Sequence, residues 1–168
     1  KTIKMASFGS KVFIKHDDYM TPKSAWENIK QYIPKKKIWE AFYGDGKSGT
    51  YLEELGFDVI HEPIDFFKHD KGEVIVSNPP FSLYKDIMAR LFELDKPFIL
   101  ILPSSKINTQ TFRICKDKGI QIIIPRKRIQ FEKKIEGETP KNWKSCCNFD
   151  CFYYCYKINL KNDITWLE

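Results

Sequence analysis

From Ile38 to Ile124 the chain alternates short apolar runs with segments of helical periodicity. Ile38 to Phe42, Phe57 to Ile60, Val74 to Val76, Phe98 to Leu102 and Ile120 to Ile124 are short and rich in β-branched or aromatic residues, the signature of strands. Between them, Tyr51, Leu52 and Leu55 share one helical face that Gly56 ends. Tyr84, Ile87, Met88, Leu91 and Phe92 mark a longer amphipathic helix, and Thr109 to Lys118 is predicted as a further helix, stopped by Gly119. Upstream, Thr21-Pro22 reads as an N-cap and a first helical residue, with Trp26, Ile29 and Ile33 at helical spacing up to Pro34. Strands that alternate with helices build βαβ units, so the fold class is α/β with a mainly parallel sheet covered on both faces. In the tail, Arg128 to Phe131 and Phe149 to Tyr156 predict an antiparallel pair of C-terminal strands. A length of 168 residues fits one domain, 1–168, with residues 1–15 read as a weakly patterned arm that is a candidate for flexibility.

Composition narrows the class. No apolar run approaches the roughly 20 residues that span a bilayer, and no secretory signal is visible. The five cysteines are an odd set, which points to reduced thiols and an intracellular, cytoplasmic protein. Strand alternation separates Cys147, Cys151 and Cys155 too widely along one face to share a metal. His16, His61 and His69 do not form a metal-ligand spacing either, and no metal is expected. Charge is uneven. Lys96 to Lys144 holds 12 Lys and Arg against 4 Asp and Glu, a surplus of +8, so the rest of the chain carries −2 of the net +6. A basic half beside a slightly acidic one points to a polyanion, with Lys106, Arg126, Lys127, Arg128, Lys133 and Lys134 as candidate nucleic-acid contacts.

Ligands in parallel α/β sheets bind at the carboxyl ends of the strands. Two segments lie there. Glu40-Ala41-Phe42-Tyr43-Gly44-Asp45-Gly46-Lys47-Ser48-Gly49 follows a strand and opens a helix, where glycines let the backbone approach a ligand. Its spacing is neither G-x-x-x-x-G-K-[ST] nor G-x-G-x-x-G. Asn78-Pro79-Pro80-Phe81 is more specific. Two prolines fix two φ angles and remove two donors. The set suits a planar amine, whose two hydrogens the Asn78 side chain and the Pro79 carbonyl can accept while Phe81 stacks on the ring.

This segment resembles motif IV, the (Asp/Asn/Ser)-Pro-Pro-(Tyr/Phe/Trp) signature of amino-group methyltransferases. Asp18-Tyr19-Met20-Thr21-Pro22 resembles the Thr-Pro motif that precedes the first strand in DNA adenine methyltransferases, and Glu40 to Gly49 resembles their S-adenosylmethionine loop. Asp65-Phe66-Phe67 resembles the Asp-Phe motif that meets the cofactor's adenine. The resemblance covers Asp17 to Tyr156, and the compact layout is similar to small methyltransferases of phages and large DNA viruses. It implies a Rossmann-like class I methyltransferase fold, S-adenosyl-L-methionine as cofactor and the N6 amine of adenine as acceptor. It places Asn78, Pro79, Pro80 and Phe81 in catalysis. It places Tyr19, Thr21, Pro22, Glu40, Phe42, Tyr43, Gly44, Asp45, Gly46, Ser48, Glu62, Asp65, Phe66 and Asn78 around the cofactor, with Glu62 or Asp65 on its ribose. Two departures stand out. The stretch between Ile60 and Val74 is too short for the family's usual helix and strand, and there is no room for a separate target-recognition domain.

The implied chemistry is direct displacement by an amine nitrogen, with a duplex base flipped out to reach the pocket. DNA is favoured over RNA as partner because of the Thr-Pro motif; a homodimer or partner subunit is left open. The alternatives are an RNA adenine-N6 or guanine-N2 methyltransferase, a protein glutamine methyltransferase, and a non-catalytic subunit. The basic second half and Phe81 speak against the glutamine reading, and the intact motifs against the last.

Overall fold

The computed structural model of the protein describes residues 19–133, 144–145 and 149–168. In chain order the regular elements are β1 (Tyr19–Met20), α1 (Lys23–Glu27), β2 (Ile38–Trp39), α2 (Lys47–Glu54), β3 (Val59–Ile60), β4 (Val74–Ser77), α3 (Tyr84–Leu94), β5 (Phe98–Pro103), β6 (Gln121–Ile124), β7 (Glu132–Lys133), β8 (Lys144–Ser145), β9 (Cys151–Tyr156) and β10 (Ile164–Trp166). Among the described residues these make a seven-stranded sheet of order β10-β6-β9-β5-β4-β2-β3 and a small sheet of order β1-β7-β8. β3, β2, β4 and β5 run parallel, β9 is antiparallel to both β5 and β6, and β10 is parallel to β6. The expected α/β class, mainly parallel with an antiparallel C-terminal component, is the one found.

The pleat sorts the core into two layers. Val74 and Val76 of β4, Ile99 and Ile101 of β5, and Cys151, Tyr153 and Cys155 of β9 face one way, against Ala25 and Trp26 of α1 and Leu52 of α2. Ile75, Phe98, Leu100, Leu102, Tyr154 and Tyr156 face the other way, against Tyr84, Ile87, Met88 and Leu91 of α3. β4 and β5 are buried along their whole length, which is why their sequences read as unbroken apolar runs rather than as alternation. The tyrosines bring their hydroxyls to acceptors. Tyr153 donates to the Ala25 carbonyl at 2.6 Å, Tyr154 to the Pro103 carbonyl at 3.0 Å and Tyr156 to Asp95 Oδ1 at 2.6 Å.

Four expectations need correction. The helix after Thr21 ends at Glu27 rather than at Pro34, with Pro22 as its cap (φ −70°, ψ 151°) instead of its first residue. A 3₁₀ turn, Lys30–Tyr32, continues the path, and the i→i−3 bond from Tyr32 N–H to the Ile29 carbonyl keeps Ile29 and Ile33 inward. Their spacing recorded burial, which a 3₁₀ turn satisfies as well as an α-helix.

Thr109 to Lys118 is not an α-helix either, but lies beside and within two 3₁₀ stretches, Ser104–Asn108 and Thr111–Cys115. The Thr109 hydroxyl donates to the Lys106 carbonyl at 2.8 Å and accepts from Phe112 N–H at 3.2 Å, local bonds that compete with an α ladder. The tail strand is not paired with Arg128 to Phe131. β9 inserts between β5 and β6, and Glu132–Lys133 pairs with β1 instead. β10 was not anticipated, because its exposed Ile164 and Trp166 carry no burial pattern. Residues 61–73 hold neither helix nor strand, so β3 is the sheet's edge. Residues 1–15, Lys134, Cys146 and Cys147 lie outside the described residues. Among the described residues no helix is long and apolar enough to cross a membrane.

Candidate active site

β2 and β4 are neighbours, so the loops that leave their carboxyl ends emerge side by side. The β2 loop supplies Glu40 to Ser48 and the β4 loop Asn78 to Phe81; Tyr19 to Thr21 crosses from the small sheet. Together they line one open-mouthed cleft.

The β4 loop owes its pose to its prolines and to one amide. Pro80 sits extended (φ −63°, ψ 125°) and the chain turns at once into a 3₁₀ helix, Phe81–Leu83. The Asn78 amide nitrogen donates to Thr21 Oγ1 at 3.0 Å and to the Tyr19 carbonyl at 3.4 Å. A carbonyl can only accept, so the amide orientation is set, and Oδ1 faces away from both partners. That oxygen is buried and has no hydrogen-bond partner among the described residues. It is an acceptor left without a partner on a residue that lines the cleft. Phe81 stacks on Tyr19 (6.4 Å, 26°) and meets Phe149 edge-on at 5.8 Å. Phe149 in turn stacks on the fully buried Phe131 at 6.0 Å.

The β2 loop carries a buried acid. Glu40 is 1% exposed, its Oε1 accepts from the Ser77 hydroxyl, and its Oε2 is unpartnered. Desolvation by burial, reinforced by the charge of Asp45, raises the carboxyl to about 8 against the pull of hydrogen bonds from Ser77 and Phe42. A cationic group brought beside this buried, unpartnered oxygen would favour its ionised form. Asp45 Oδ1 accepts from Lys47 N–H at 3.0 Å and shapes the turn. Gly46 caps α2 at φ 81°, where a Cβ would also lie 2.7 Å from the Tyr43 hydroxyl. Ser48 accepts from the Trp26 indole N–H at 2.7 Å, which ties this loop to α1.

Residues 23–144, and so both loops, match a family described as adenine-specific methyltransferase EcoRI. The chain belongs to that family. The type II methyltransferase M.EcoRI of Escherichia coli is 35% identical over 60 residues, which are 35% of this chain and 18% of that protein. The aligned part is therefore well under two thirds of the relative's length.

The cleft gathers Tyr19, Thr21, Glu40, Phe42, Tyr43, Gly44, Asp45 and Ser48 of the expected cofactor set, together with Asn78, Pro79, Pro80 and Phe81. Five expected residues stand off it. Pro22 caps α1 and Gly46 caps α2. Glu62 is exposed on the loop after β3. Asp65 accepts from Phe67 N–H at 2.9 Å and stabilises its own turn. Phe66 is fully buried, 5.5 Å from Trp39 and 4.8 Å from Phe42 between ring centroids, so its side chain supports the cleft from beneath. Met20, which lines the cleft, and Phe131 and Phe149 behind Phe81 were missed. Phe131 and Phe149 read only as ends of tail strands and Met20 only as part of the Thr-Pro segment, and nothing local says which face of a strand or turn will meet a site.

The basic candidates do not form one rim. Lys106 lies over the Tyr84 ring at 5.1 Å. Arg126, Lys127 and Arg128 line a separate groove with Pro22, Gln31 and Trp166. Arg128 is held there by a forked ion pair with Asp150, at 2.9 and 3.2 Å. Lys133 stands opposite Tyr19 in the small sheet, and Lys134 lies outside the described residues.

Proposed function

We propose that this chain transfers a methyl group from S-adenosylmethionine to the N6 amine of adenine in DNA. The observation that carries the reading is Asn78 Oδ1, an open buried acceptor whose direction is set by Thr21 and Tyr19, beside the half-buried ring of Phe81. The family match supports adenine as the base and DNA as the substrate class.

The cleft residues fit a cofactor of this kind. S-adenosylmethionine supplies a methyl carbon made electrophilic by a sulfonium sulfur. Glu40 Oε2 is placed to receive a positively charged group, and Phe42, Tyr43, Gly44, Asp45 and Ser48 complete that side. Asn78, Pro79, Pro80 and Phe81 take the base. The N6 lone pair is delocalised into the ring, and Asn78 Oδ1 and the Pro79 carbonyl act by accepting the two N6 hydrogens. Those bonds strengthen as the nitrogen becomes cationic, so they favour the transition state over the ground state. Phe81 holds the ring in line for displacement. Thr21 acts on Asn78 rather than on substrate, holding the amide with its oxygen toward the amine.

Incubation with methyl-labelled S-adenosylmethionine, followed by separation of DNA, RNA and protein pools and nucleoside digestion, tests the reading. Label is expected in DNA as N6-methyldeoxyadenosine. Asn78→Ala should lower kcat by about 10²-fold or more while cofactor affinity changes little. Label in RNA or protein, or full turnover by Asn78→Ala, overturns it.

A further inference from the structure

The groove that holds Arg126 and Lys127 is a second surface beside the cleft. Its walls are α1, the loop 126–130 and the edge strand β10. Three features give it chemistry. Arg126 and Lys127 are exposed, and among the described residues neither has an ion-pair partner, whereas Arg128 is tied to Asp150 and braces the loop. Glu168 is the groove's acid, so its lining side chains stay net positive. Trp166 is 68% exposed, while Trp26 and Trp39 are fully buried. A flat indole on a sheet edge, beside free cations and the amides of Asn28, Gln31 and Gln130, is the pairing of stacking platform and phosphate contact that single-stranded nucleic acid recognises.

Position ties the groove to the chemistry. α1 lines the groove, and Thr21, just ahead of it in the chain, lines the cleft. On the cleft side Trp26 bonds Ser48, and Thr21, immediately before the helix cap, bonds Asn78. On the groove side lie Pro22, Ser24, Ala25 and Asn28. Thr21 and Pro22, consecutive in the chain, line cleft and groove respectively, so the two surfaces are neighbours. A strand whose adenine is turned into the cleft has its neighbouring nucleotides within reach of the groove. We propose that this groove holds the strand of substrate DNA that flanks the target adenine, with Arg126 and Lys127 on its phosphates and Trp166 stacked on an unpaired base. The inference rests on the DNA-adenine reading above and adds to it the surface that grips the strand.

The test uses the full chain, a fluorescein-labelled single-stranded oligodeoxynucleotide, and methylation kinetics. Arg126→Gln with Lys127→Gln should reduce the log–log salt slope of binding by roughly 0.7 for each phosphate that is no longer neutralised. Trp166→Leu should weaken binding by roughly tenfold, and Trp166→Phe should recover most of it, because a smaller ring still stacks. In each weakened variant the KM for DNA should rise, with kcat at saturating DNA and the affinity for S-adenosylmethionine unchanged. Unaltered affinity and salt slope in these variants overturn the proposal. So does a fall in kcat with KM unchanged. Trp166→Leu turning a dimer into a monomer in size-exclusion light scattering, with DNA affinity intact, also overturns it, since the groove then covers a second copy. If Asn78→Ala is inactive yet binds the oligonucleotide normally, and the groove variants bind it normally too, the groove inference alone fails. If Asn78→Ala keeps its turnover, the catalytic reading fails instead.

Discussion

Asn78 spends both hydrogens of its amide on Thr21 and Tyr19 and leaves its oxygen open, and this asymmetry makes Thr21 testable apart from the cofactor. Thr21→Val removes the hydroxyl at nearly constant volume, so kcat should fall about tenfold or more with cofactor affinity little changed, and Thr21→Ser should restore it. A large loss of cofactor affinity at constant kcat would instead make Thr21 a cofactor ligand. Glu40 offers a second test at the same scale. Its carboxyl is raised from 4.5 to about 8. The folded chain therefore holds this proton more tightly than the unfolded one. The stability it lends is fully present below about pH 4.5 and is lost as pH rises toward and through 8. Glu40→Gln should flatten that part of the pH profile of Tm, and its Tm relative to the parent should be higher at pH 8 than at pH 5. An unchanged profile would mean that the carboxyl is not buried as described. The Asn-Pro-Pro-Phe segment was legible in the sequence because prolines fix geometry locally, and most of the residues around Gly44 were legible for a similar reason. Phe66 and Met20 were not, since whether an apolar side chain faces a cleft or a core depends on neighbours remote in the chain.

α1 is five residues long, yet it lines the basic groove and bonds through Trp26 to Ser48 of the cleft, so the bonds that hold it in place matter to both. One is the buried bond from Tyr153 on β9 to the Ala25 carbonyl. Tyr153→Phe keeps the ring and strands that carbonyl, at a cost of about 1–2 kcal/mol. The expected result is a Tm lowered by roughly 2–8 °C in a thermal melt, judged by the usual shift for a chain of this size. An unchanged Tm would show that α1 is held by its apolar face alone. Elements were read well where periodicity and burial coincide, as in β4, β5 and α3. They were misread where the same burial can be met by another backbone. Ile29 and Ile33 are buried from a 3₁₀ turn, and the hydroxyl of Thr109 diverts Thr109 to Lys118 from an α-helix. β9 was found as a strand but not placed, because partner choice is a long-range property that pattern alone does not hold.

At the scale of the molecule, the sheet order shows how the cleft forms although residues 61–73 hold neither helix nor strand. Residues 61–73 omit a helix and a strand, and the sheet simply ends at β3, with the cleft two strands further in at β4. The opposite half depends on β9, whose residues are buried on both faces between β5 and β6. A chain cut after residue 148 should therefore fail to give a cooperative melt and should be degraded rapidly in limited proteolysis, although it retains Glu40, Asn78 and Phe81. A cooperative transition in that fragment would show that β5 and β6 can pair without β9. The position of β9 also bears on synthesis. Chains grow from their amino end at about 5–20 residues per second. The residues assigned to chemistry emerge before Ser82, but the strand that locks the middle of the sheet arrives only with Cys151 to Tyr156. A nascent chain thus carries Asn78 to Phe81 for several seconds before β9 can lock the sheet beneath them, and the cleft gains its full support only once Tyr156 has emerged.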